Sequence, residues 1–533
     1  MGTVVEYPTP RSRGGGSCDI PVAVQKSLIA QTLRKRLLRP FFEAFRAAMM
    51  ALYPPVANIG SVVYIDMTAG SDGAGTFASP RNIIPTIASS TTYLFKEGTR
   101  AHSASYALTA ITATNVLFGT YSAFDGSRVF QHDRLATIDG TPANWYIALR
   151  WSGTTGNFTL SGIRIIGGNN TSGAGVNLFQ ANSGATAAST LTIEHCVFEN
   201  IGDYLLSGGV LSNIAIAVNG PKLICRFNRI CVEGDGISYN PSTGSGFEFI
   251  CNEIITPPSI VTGGPDCIQV QRTGTTQMGH MVAIGNWLNQ AANTKQAFLI
   301  VGGTAPATGE STFFARNFLF GVDCVADPPR APFGGQLGYV NDSICPAIVA
   351  GNYFDQFLGW ASVPSNSLLA NNIGILDHLS TSFLTGFATA NGATGSVVAN
   401  NTAISLTRTW TPNTSQNVGF WSNAANTFVN NVSVNLGMLL AGGATESKSV
   451  FVGSAGPCNG SGVAIALGSG SVNATLDAVA LDAVGRPGAL SSLLADGLAV
   501  NFRSMAVRYP DVFGQTAWNQ LPNLGAAQGW MNT

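Results

Sequence analysis

Five charged residues precede short apolar runs at nearly constant intervals, and their types would suit acid–base chemistry. The phrases "GDYLL", "GDGISY", "PDCIQV" and "VDCVA" each place an Asp before such a run, and "TKQAFLI" places a Lys there. If one interval is one coil of a repeating fold, the five residues stack as a single charged column. They are Asp203, Asp235, Asp266, Lys295 and Asp323.

Hydrolysis of a glycosidic bond is the reaction that such a column favours. It requires two carboxylates, one acting as an acid and the other as a base or nucleophile. Stacked strands lie about 4.8 Å apart, so neighbouring coils would hold carboxylates near the separation of about 5 Å used by retaining enzymes. Like charges this close raise the pKa of one partner, as an acid catalyst requires. We therefore predict Asp235 and Asp266 as the catalytic pair, with Asp203 and Glu233 as further candidates.

Two other interpretations of the same residues stay open. Lys295 beside Asp266 would also suit a β-elimination lyase, in which Lys or Arg abstracts a proton and a bound Ca²⁺ neutralises a uronate. Alternatively, an Asp before a strand often only accepts hydrogen bonds from turn amides. Apart from that calcium ion we expect no cofactor, and the five His have no metal-ligand spacing.

Residues close to the column in sequence would line a sugar groove. An aromatic ring suits the apolar face of a pyranose, and Arg suits an acidic sugar. The residues predicted to bind substrate are Arg272, Trp287, Tyr239 and Asp323.

A repeated asparagine phrase predicts the elements that would hold these residues. "VAIGNWLNQ" (282–290) and similar phrases put an Asn inside short apolar runs at 228, 252, 286, 317, 352, 372, 401 and 431, and Cys196 takes the equivalent place in "LTIEHCVF". Such loose periodicity fits coils of three short strands joined by variable turns. We expect each Asn to adopt a left-handed turn conformation and to stack on the next Asn as an amide ladder.

The N-terminal part is organised differently. Residues 1–20 read as a flexible lead, and residues 21–56 as a helical segment with apolar residues at helical spacing. Pro40 should kink or split this helix, and "YPP" (53–55) should end it. The segment is predicted either to dock on identical copies or a larger assembly, or to cap the body behind it. We place the repeating body at 57–439, and the last coils with a C-terminal cap at 440–533.

Composition excludes several classes of protein. Only 10% of the 533 residues are charged and 62 are Gly, which suits a large β architecture better than a helical one. The net charge of −1 gives no reason to expect a nucleic-acid partner, although the first 50 residues carry eight Lys/Arg against three Asp/Glu. The nine Cys form no paired motif and indicate reduced thiols. Neither a signal-peptide pattern nor a membrane-spanning run is found.

Two stretches resemble a known family. "VYIDMTAGSDGAGTFASPRNI" (63–83), followed by "TTYLFKEGTR" (91–100), resembles the entry motif of right-handed parallel β-helix proteins of the pectin-lyase-like kind. "DAVGRPG" (482–488) and "PNLGAAQG" (522–529) are similar to their closing segment. The resemblance implies an all-β fold, a right-handed single-stranded parallel β-helix preceded by a short helical segment.

That family includes polysaccharide lyases, polygalacturonases and bacteriophage tailspikes. Reduced thiols, the helical head and the missing signal pattern favour a phage tailspike or tail fibre, made in the host cytoplasm and carried on the virion. The resemblance implies a homotrimer that binds, and in one interpretation hydrolyses, a capsule or O-antigen polysaccharide. Residues 1–56 would then attach to a tail or baseplate protein. The alternatives are a non-catalytic structural or receptor-binding fibre and a polysaccharide lyase acting outside a virion.

Overall fold

A computed structural model describes most of the chain between residues 22 and 474. The predicted flexible lead (1–20) and the stretch from 475 to 533 lie outside the described residues. The ranges described are 22–102, 108, 111–140, 147–167, 177–181, 188–200, 214–232, 234–256, 266–271, 279, 281–290, 296–301, 312–321, 337–341, 346–357, 359–376, 385–405, 418–453 and 456–474.

Three long sheets form the body, which we number in the order in which the chain visits them. Sheet 1 contains β1 (Ser61–Ile65), β2 (Thr91–Lys96), β4 (Val116–Tyr121), β8 (Asn157–Ser161), β11 (Thr190–Glu194), β14 (Lys222–Arg226), β17 (Phe247–Ile250), β20 (Met281–Ile284), β23 (Thr312–Ala315), β26 (Ala347–Ala350), β29 (Leu368–Ala370), β32 (Val397–Ala399), β35 (Thr427–Val429) and β38 (Thr445–Ser447), with β5 (Arg128–Val129) antiparallel to β4.

Sheet 2 contains β3 (Arg100–His102), β6 (Ala136–Asp139), β9 (Ile163–Gly167), β12 (Val197–Asn200), β15 (Arg229–Cys231), β18 (Glu253–Thr256), β21 (Trp287–Gln290), β24 (Phe318–Phe320), β27 (Tyr353–Asp355), β30 (Ile373–Leu376), β33 (Thr402–Ser405), β36 (Val432–Val434), β39 (Val450–Val452) and β41 (Val472–Ala474).

Sheet 3 contains β7 (Ile147–Trp151), β10 (Asn177–Ala181), β13 (Ile214–Gly220), β16 (Asp235–Pro241), β19 (Ile268–Gln271), β22 (Phe298–Val301), β25 (Leu337–Asn341), β28 (Gly359–Val363), β31 (Thr385–Thr389), β34 (Val418–Ser422), β37 (Gly437–Leu440) and β40 (Pro457–Cys458).

The strand order makes the body a right-handed parallel β-helix. From β8 onward the chain passes from sheet 1 to sheet 2 to sheet 3 and returns to sheet 1 one strand further along. Each of these strands pairs in parallel with its counterpart one coil away, as β11 does with β8 and β14. This confirms the predicted fold class, and the parallel strands continue beyond residue 439 as far as Ala474.

Inward-facing side chains form one continuous core along the axis. In sheet 3, Ile216, Ile237, Ile268 and Phe298 follow one another in register on successive coils, and all four are fully buried. Burial of each such side chain contributes about 1.5–3 kcal/mol. The alternation of strand residues thus sends every second side chain into the core.

The segment that resembles a family entry motif forms a salt-bridged turn. The Lys96 Nζ lies 2.7 Å from Oδ2 of Asp66, and the guanidinium of Arg81 contacts Asp72 at 2.8 Å. No helix follows within the described residues 81–90, where the resemblance implies a short one.

The predicted asparagine ladder is confirmed at the corner between sheets 1 and 2. The side-chain oxygen of Asn286 accepts hydrogen bonds from the backbone N–H and the side-chain amide of Asn252, both at 3.0 Å. Its own amide donates to Asn317 Oδ1 and to the Phe249 carbonyl, both at 2.9 Å. The pattern repeats along a fully buried column, the asparagine ladder: Asn228, Asn252, Asn286, Asn317, Asn352, Asn372, Asn401 and Asn431.

The left-handed turn conformation belongs to the residue before each ladder Asn, which corrects the sequence prediction. Phe227, Cys251 and Arg316 have φ of 61°, 51° and 54°, and each precedes a ladder residue. A left-handed non-glycine residue costs roughly 1–2 kcal/mol. The turn therefore needs the stacked amides, because their hydrogen bonds offset that cost at each coil.

The N-terminal helix, α1 (Val22–Leu52), lies along the side of the solenoid instead of capping an end. Gln31 donates to the Gly321 carbonyl, whereas Arg46 donates to the carbonyl of Phe227. Phe227 lies about three coils closer to the first coil of the solenoid than Gly321 does. The helix therefore runs from the middle coils back toward the entry, over the corner of sheets 1 and 2. It passes through Pro40 undivided, with Pro40 on the exposed side of the helix, so the predicted split is not found.

Charged and apolar contacts together hold α1 on the solenoid. Arg34 makes a buried two-pronged contact with Asp355, at 2.8 Å (Nε–Oδ2) and 2.9 Å (Nη2–Oδ1). Arg39 contacts Glu253 in the same way, at 2.7 and 3.2 Å. The buried side chains of the helix pack on the walls of sheets 1 and 2; they are Leu38, between these pairs, and Phe42 and Met49, beyond Arg39.

His195 fills the corner at the coil before the first ladder Asn. It is 2% exposed, adopts φ of 54°, and lies between the rings of Phe130 and Phe227 at 5.0 and 5.1 Å. Burial lowers the pKa of His195 to about 3, and the nearby guanidinium of Arg46 acts in the same direction. The imidazole is therefore neutral in the folded protein.

Replacing one ladder residue should destabilise the whole solenoid. Asn286→Ala leaves the buried amide groups of Asn252 without an acceptor, so we expect a loss of about 2–4 kcal/mol in the free energy of unfolding. Denaturant unfolding of the full chain measures it. Asn58→Ala, at an exposed Asn, is the matched control and should change stability by less than about 0.5 kcal/mol. Equal losses in the two variants would contradict a structural role for the ladder.

Acidification should weaken the fold through His195. The unfolded imidazole takes up a proton near pH 6.5 and the folded one only near pH 3. The stabilisation is thus complete above about pH 6.5 and declines as the pH falls toward 3. His195→Asn tolerates the left-handed backbone and cannot titrate, so its melting temperature should depend less on pH between 6.5 and 4. An unchanged pH profile in this variant would rule the mechanism out.

Candidate functional site

Asp235 and Asp266 occupy equivalent positions on adjacent coils. Ile237 pairs with Ile268, so the residues two positions earlier in each segment, Asp235 and Asp266, are aligned. Asp235 is half-buried at the start of β16, and Asp266 is 2% exposed just before β19. The predicted proximity of this carboxylate pair is confirmed by the register.

Both carboxylates bind backbone amides of the next coil. Oδ1 of Asp235 accepts the N–H of Asp266 at 2.9 Å, and Oδ1 of Asp266 accepts the N–H of Gln296 at 2.8 Å. They connect successive coils at the corner of sheets 2 and 3 much as the asparagine ladder does at the corner of sheets 1 and 2. This geometry favours the interpretation in which the Asp residues bind turn amides.

The register does not extend the column as the sequence analysis proposed. Ile214 pairs with Asp235, so Asp203 does not take that position on the preceding coil. On the following coil the residue aligned with Asp266 is Gln296, one position after Lys295. On the two neighbouring coils, the Asp235–Asp266 pair is therefore aligned with an apolar and an amide side chain. The predicted site residues that lie outside the described residues are Asp203, Glu233, Arg272, Lys295 and Asp323.

Tyr239 belongs to the core and does not line a groove. It is fully buried, and its hydroxyl hydrogen-bonds to the carbonyl oxygens of Pro221 (2.8 Å) and Gly246 (3.0 Å). Burial also raises the pKa of the phenol. Because Tyr239 is two residues after Ile237 on the same strand, alternation directs both side chains inward.

Trp287 points outward but is covered by α1. It is 5% exposed, its ring centre is 5.4 Å from that of Phe42, and the guanidinium of Arg39 lies 5.2 Å from the ring centre. The predicted role in sugar binding is therefore wrong for this arrangement. The helix contact joins residues more than 240 positions apart, which the local sequence around Trp287 does not indicate.

The outer face of sheet 3 carries a row of side chains that is not covered by the described contacts of α1. Registered pairing places one such residue on each coil, and the row mixes guanidinium, amide, hydroxyl, small apolar and indole groups. The half-buried members, which we call the sheet 3 row, are Arg150, Gln180, Ser238, Gln269, Ser362 and Trp421.

Trp421 is the aromatic member of the sheet 3 row. It packs beside Val418, Leu439 and Cys458, and its neighbour in register on the preceding coil is the small side chain of Ala388. A half-exposed indole next to a small residue leaves room for an apolar ring face. This row could not be predicted from the sequence, because its only signal is strand alternation combined with exact coil lengths.

Metal ligands and membrane-spanning segments were also sought in the described part of the chain. There, no group of three or more His, Cys, Asp or Glu side chains could hold a metal ion. None of the described helices is both long enough and apolar enough to cross a membrane.

Comparison with known proteins does not assign a family. No family model matches this chain, and no curated protein matches it. A parallel β-helix supports many unrelated activities, so the fold alone does not identify a reaction. The geometry of the outer faces therefore bears on function more directly than the fold does.

The two roles of Asp266 can be separated by substitution. Asp266→Ala leaves the Gln296 N–H without its acceptor and should cost about 1–3 kcal/mol of stability. Asp266→Asn keeps a side-chain oxygen in that position and should cost less than about 1 kcal/mol. Denaturant unfolding of both variants measures the difference. If Asn is as harmful as Ala, acceptance of the amide hydrogen bond is not what Asp266 contributes.

Proposed function

We propose that this chain is a bacteriophage tailspike or tail fibre that binds a bacterial surface polysaccharide along the outer face of sheet 3. The observation that carries the proposal is the sheet 3 row, whose hydrogen-bonding side chains lie in register along one axis, with apolar residues such as Ala217 and Leu299 on the coils between them. A linear polymer laid along that axis would meet a new side chain about every 4.8 Å.

The chemistry of the row suits a carbohydrate better than an apolar ligand. Gln180, Ser238 and Gln269 supply amide and hydroxyl groups that match sugar hydroxyls. Arg150 would pair with an acidic sugar, and Trp421 would contact the apolar face of a pyranose. The row is also rigid, because its residues lie on strands that are hydrogen-bonded to a neighbouring strand on both sides, or on one side for β7, which carries Arg150.

Assembly into a virion is part of the same proposal. The resemblance of residues 63–100 to the entry motif of parallel β-helix proteins supports a tailspike-like homotrimer with residues 1–56 toward a tail or baseplate protein. The basic side chains Arg34 and Arg39 bind the solenoid itself. Attachment would therefore use the outer surface of α1 or the residues before it.

Hydrolysis of the bound polysaccharide is the second candidate function. It is favoured by one observation, the alignment of Asp235 and Asp266 on adjacent coils at the edge of sheet 3. A separation of about one strand spacing matches the carboxylates of retaining glycosidases. The hydrogen bonds from backbone amides to both carboxylates weigh against this candidate.

Replacing Trp421 should weaken polysaccharide binding while the fold persists. We expect Trp421→Ala to lower the affinity of the full chain about two- to tenfold, since stacking on an aromatic ring is worth roughly 0.5–1.5 kcal/mol. The measurement is binding to a panel of purified capsular polysaccharides and lipopolysaccharides. Phe124→Ala is the matched control, because Phe124 is 91% exposed on the turn after β4, outside sheet 3.

Equal loss in both variants, or no binding of any panel member by the unmodified chain, would overturn the proposed site. The same incubations decide the second candidate. New reducing ends formed by the unmodified chain and absent with Asp266→Asn would establish hydrolysis. Absorbance from unsaturated uronates would instead indicate a lyase.

A further inference from the structure

The outer face of α1 is apolar and exposed along most of the helix. Leu33 and Leu37 are 53% and 48% exposed, although both are large aliphatic side chains. Four or three residues separate successive members of this face. Its exposed members, which we call the outer stripe, are Leu33, Leu37, Pro40, Ala44, Ala47 and Ala51.

The distribution of charge on α1 is reversed compared with an ordinary surface helix. A helix on a soluble protein normally turns its charged residues to water and its apolar stripe to the core. Here the described basic side chains Arg34, Lys35 and Arg39 contact Asp355, Asn289 and Glu253 of the solenoid. The face left to the outside is the outer stripe, which contains no charged residue.

We infer that the outer stripe packs against the same stripe of another copy of this chain. Spacings of four and three residues keep an apolar seam on one side of a helix, which is the pattern of helices that associate with one another. The alanines at 44, 47 and 51 would let two helix backbones approach closely. The stripe spans 18 residue steps, about 27 Å at the rise of an α-helix.

The charges beside the stripe favour a second copy of this chain as the partner that packs on it. Arg36 and Glu43 are exposed on one edge of the stripe and carry opposite signs. When two identical stripes meet in opposite directions, Arg36 of one copy lies toward Glu43 of the other. Glu43 already contacts Arg39 at 2.6 Å within its own helix, so a second cation would extend an existing pair.

The size of the stripe predicts a weak association. One helix face of six mainly small residues buries less than the roughly 800 Å² per partner of a standard stable interface. Association through this face alone should therefore depend on protein concentration. Because stripes that meet in opposite directions are related by a two-fold axis, the contact would join chains of different trimers in the proposed function, and it does not depend on whether the chain binds polysaccharide.

Mass measurement of the full chain tests the inference. Light scattering across about a hundredfold range of concentration should show assemblies that dissociate on dilution. Leu33→Glu with Leu37→Glu should raise the apparent dissociation constant at least about tenfold, because charge is placed in the seam. Met50→Glu is the matched control and should leave the mass unchanged, because Met50 is exposed on the same helix but outside the stripe.

A cross-linking variant reports on contact directly. Pro40→Cys should form a disulfide between copies under oxidising conditions, because residue 40 lies next to the midpoint between Arg36 and Glu43, whereas Met50→Cys should not. Unfolding curves of each variant establish that α1 remains docked. A mass that does not change with concentration, or concentration-dependent association that survives Leu33→Glu with Leu37→Glu, would overturn the inference. Loss of polysaccharide binding with association intact would instead count against the proposed function alone.

Discussion

The stacked amides at the corner of sheets 1 and 2 are the interaction on which the rest of this fold depends. Each ladder Asn binds two backbone groups of the preceding coil and the side chain of the next ladder Asn, and it does so where the chain must turn sharply. A turn with a left-handed residue such as Phe227 or Arg316 is unfavourable in isolation. Only a neighbouring coil with the same turn supplies the compensating hydrogen bonds. The turn of one coil is therefore stabilised by the same turn in its neighbour, and this stacking sets the register of all three sheets.

α1 adds a long-range connection to a structure that otherwise contacts only its neighbours. Coils of a solenoid contact the coils above and below, so its stability spreads in one dimension. The helix connects coils that are not neighbours, since Arg34 pairs with Asp355 while Arg46 donates to the carbonyl of Phe227. It can dock only after the middle coils have formed, because its partners lie up to 321 residues later in the chain. The buried Arg34–Asp355 pair suits this role, because removal of one partner from such a pair leaves an uncompensated buried charge.

Features that depend on short sequence patterns could be predicted, whereas features that depend on coil length or on contacts between distant residues could not. The ladder positions, the helix end before Tyr53 and the adjacency of Asp235 and Asp266 all follow from short patterns. Gln296 is aligned with Asp266 where the sequence predicts its neighbour Lys295, because the intervals between coils vary and a difference of one residue exchanges one strand position for the next. Trp287 failed for another reason, because a helix from a remote part of the chain covers its outward face.

The outer surfaces of the three sheets are therefore not equivalent, and this difference favours sheet 3 as the surface that binds a ligand. The corner of sheets 1 and 2 is taken by α1, which hides aromatic residues such as Trp287 and Phe318 that would otherwise resemble a sugar-binding wall. Sheet 3 retains a row of polar groups and one indole on its outer side. At its edge Asp235 and Asp266 hold the next coil in place, and that rigidity is also what a row of ligand-binding side chains needs. A solenoid that binds a polymer must keep its coils in register over the length of the ligand. The same carboxylates can thus serve binding without reacting, because they keep the coils of sheet 3 aligned.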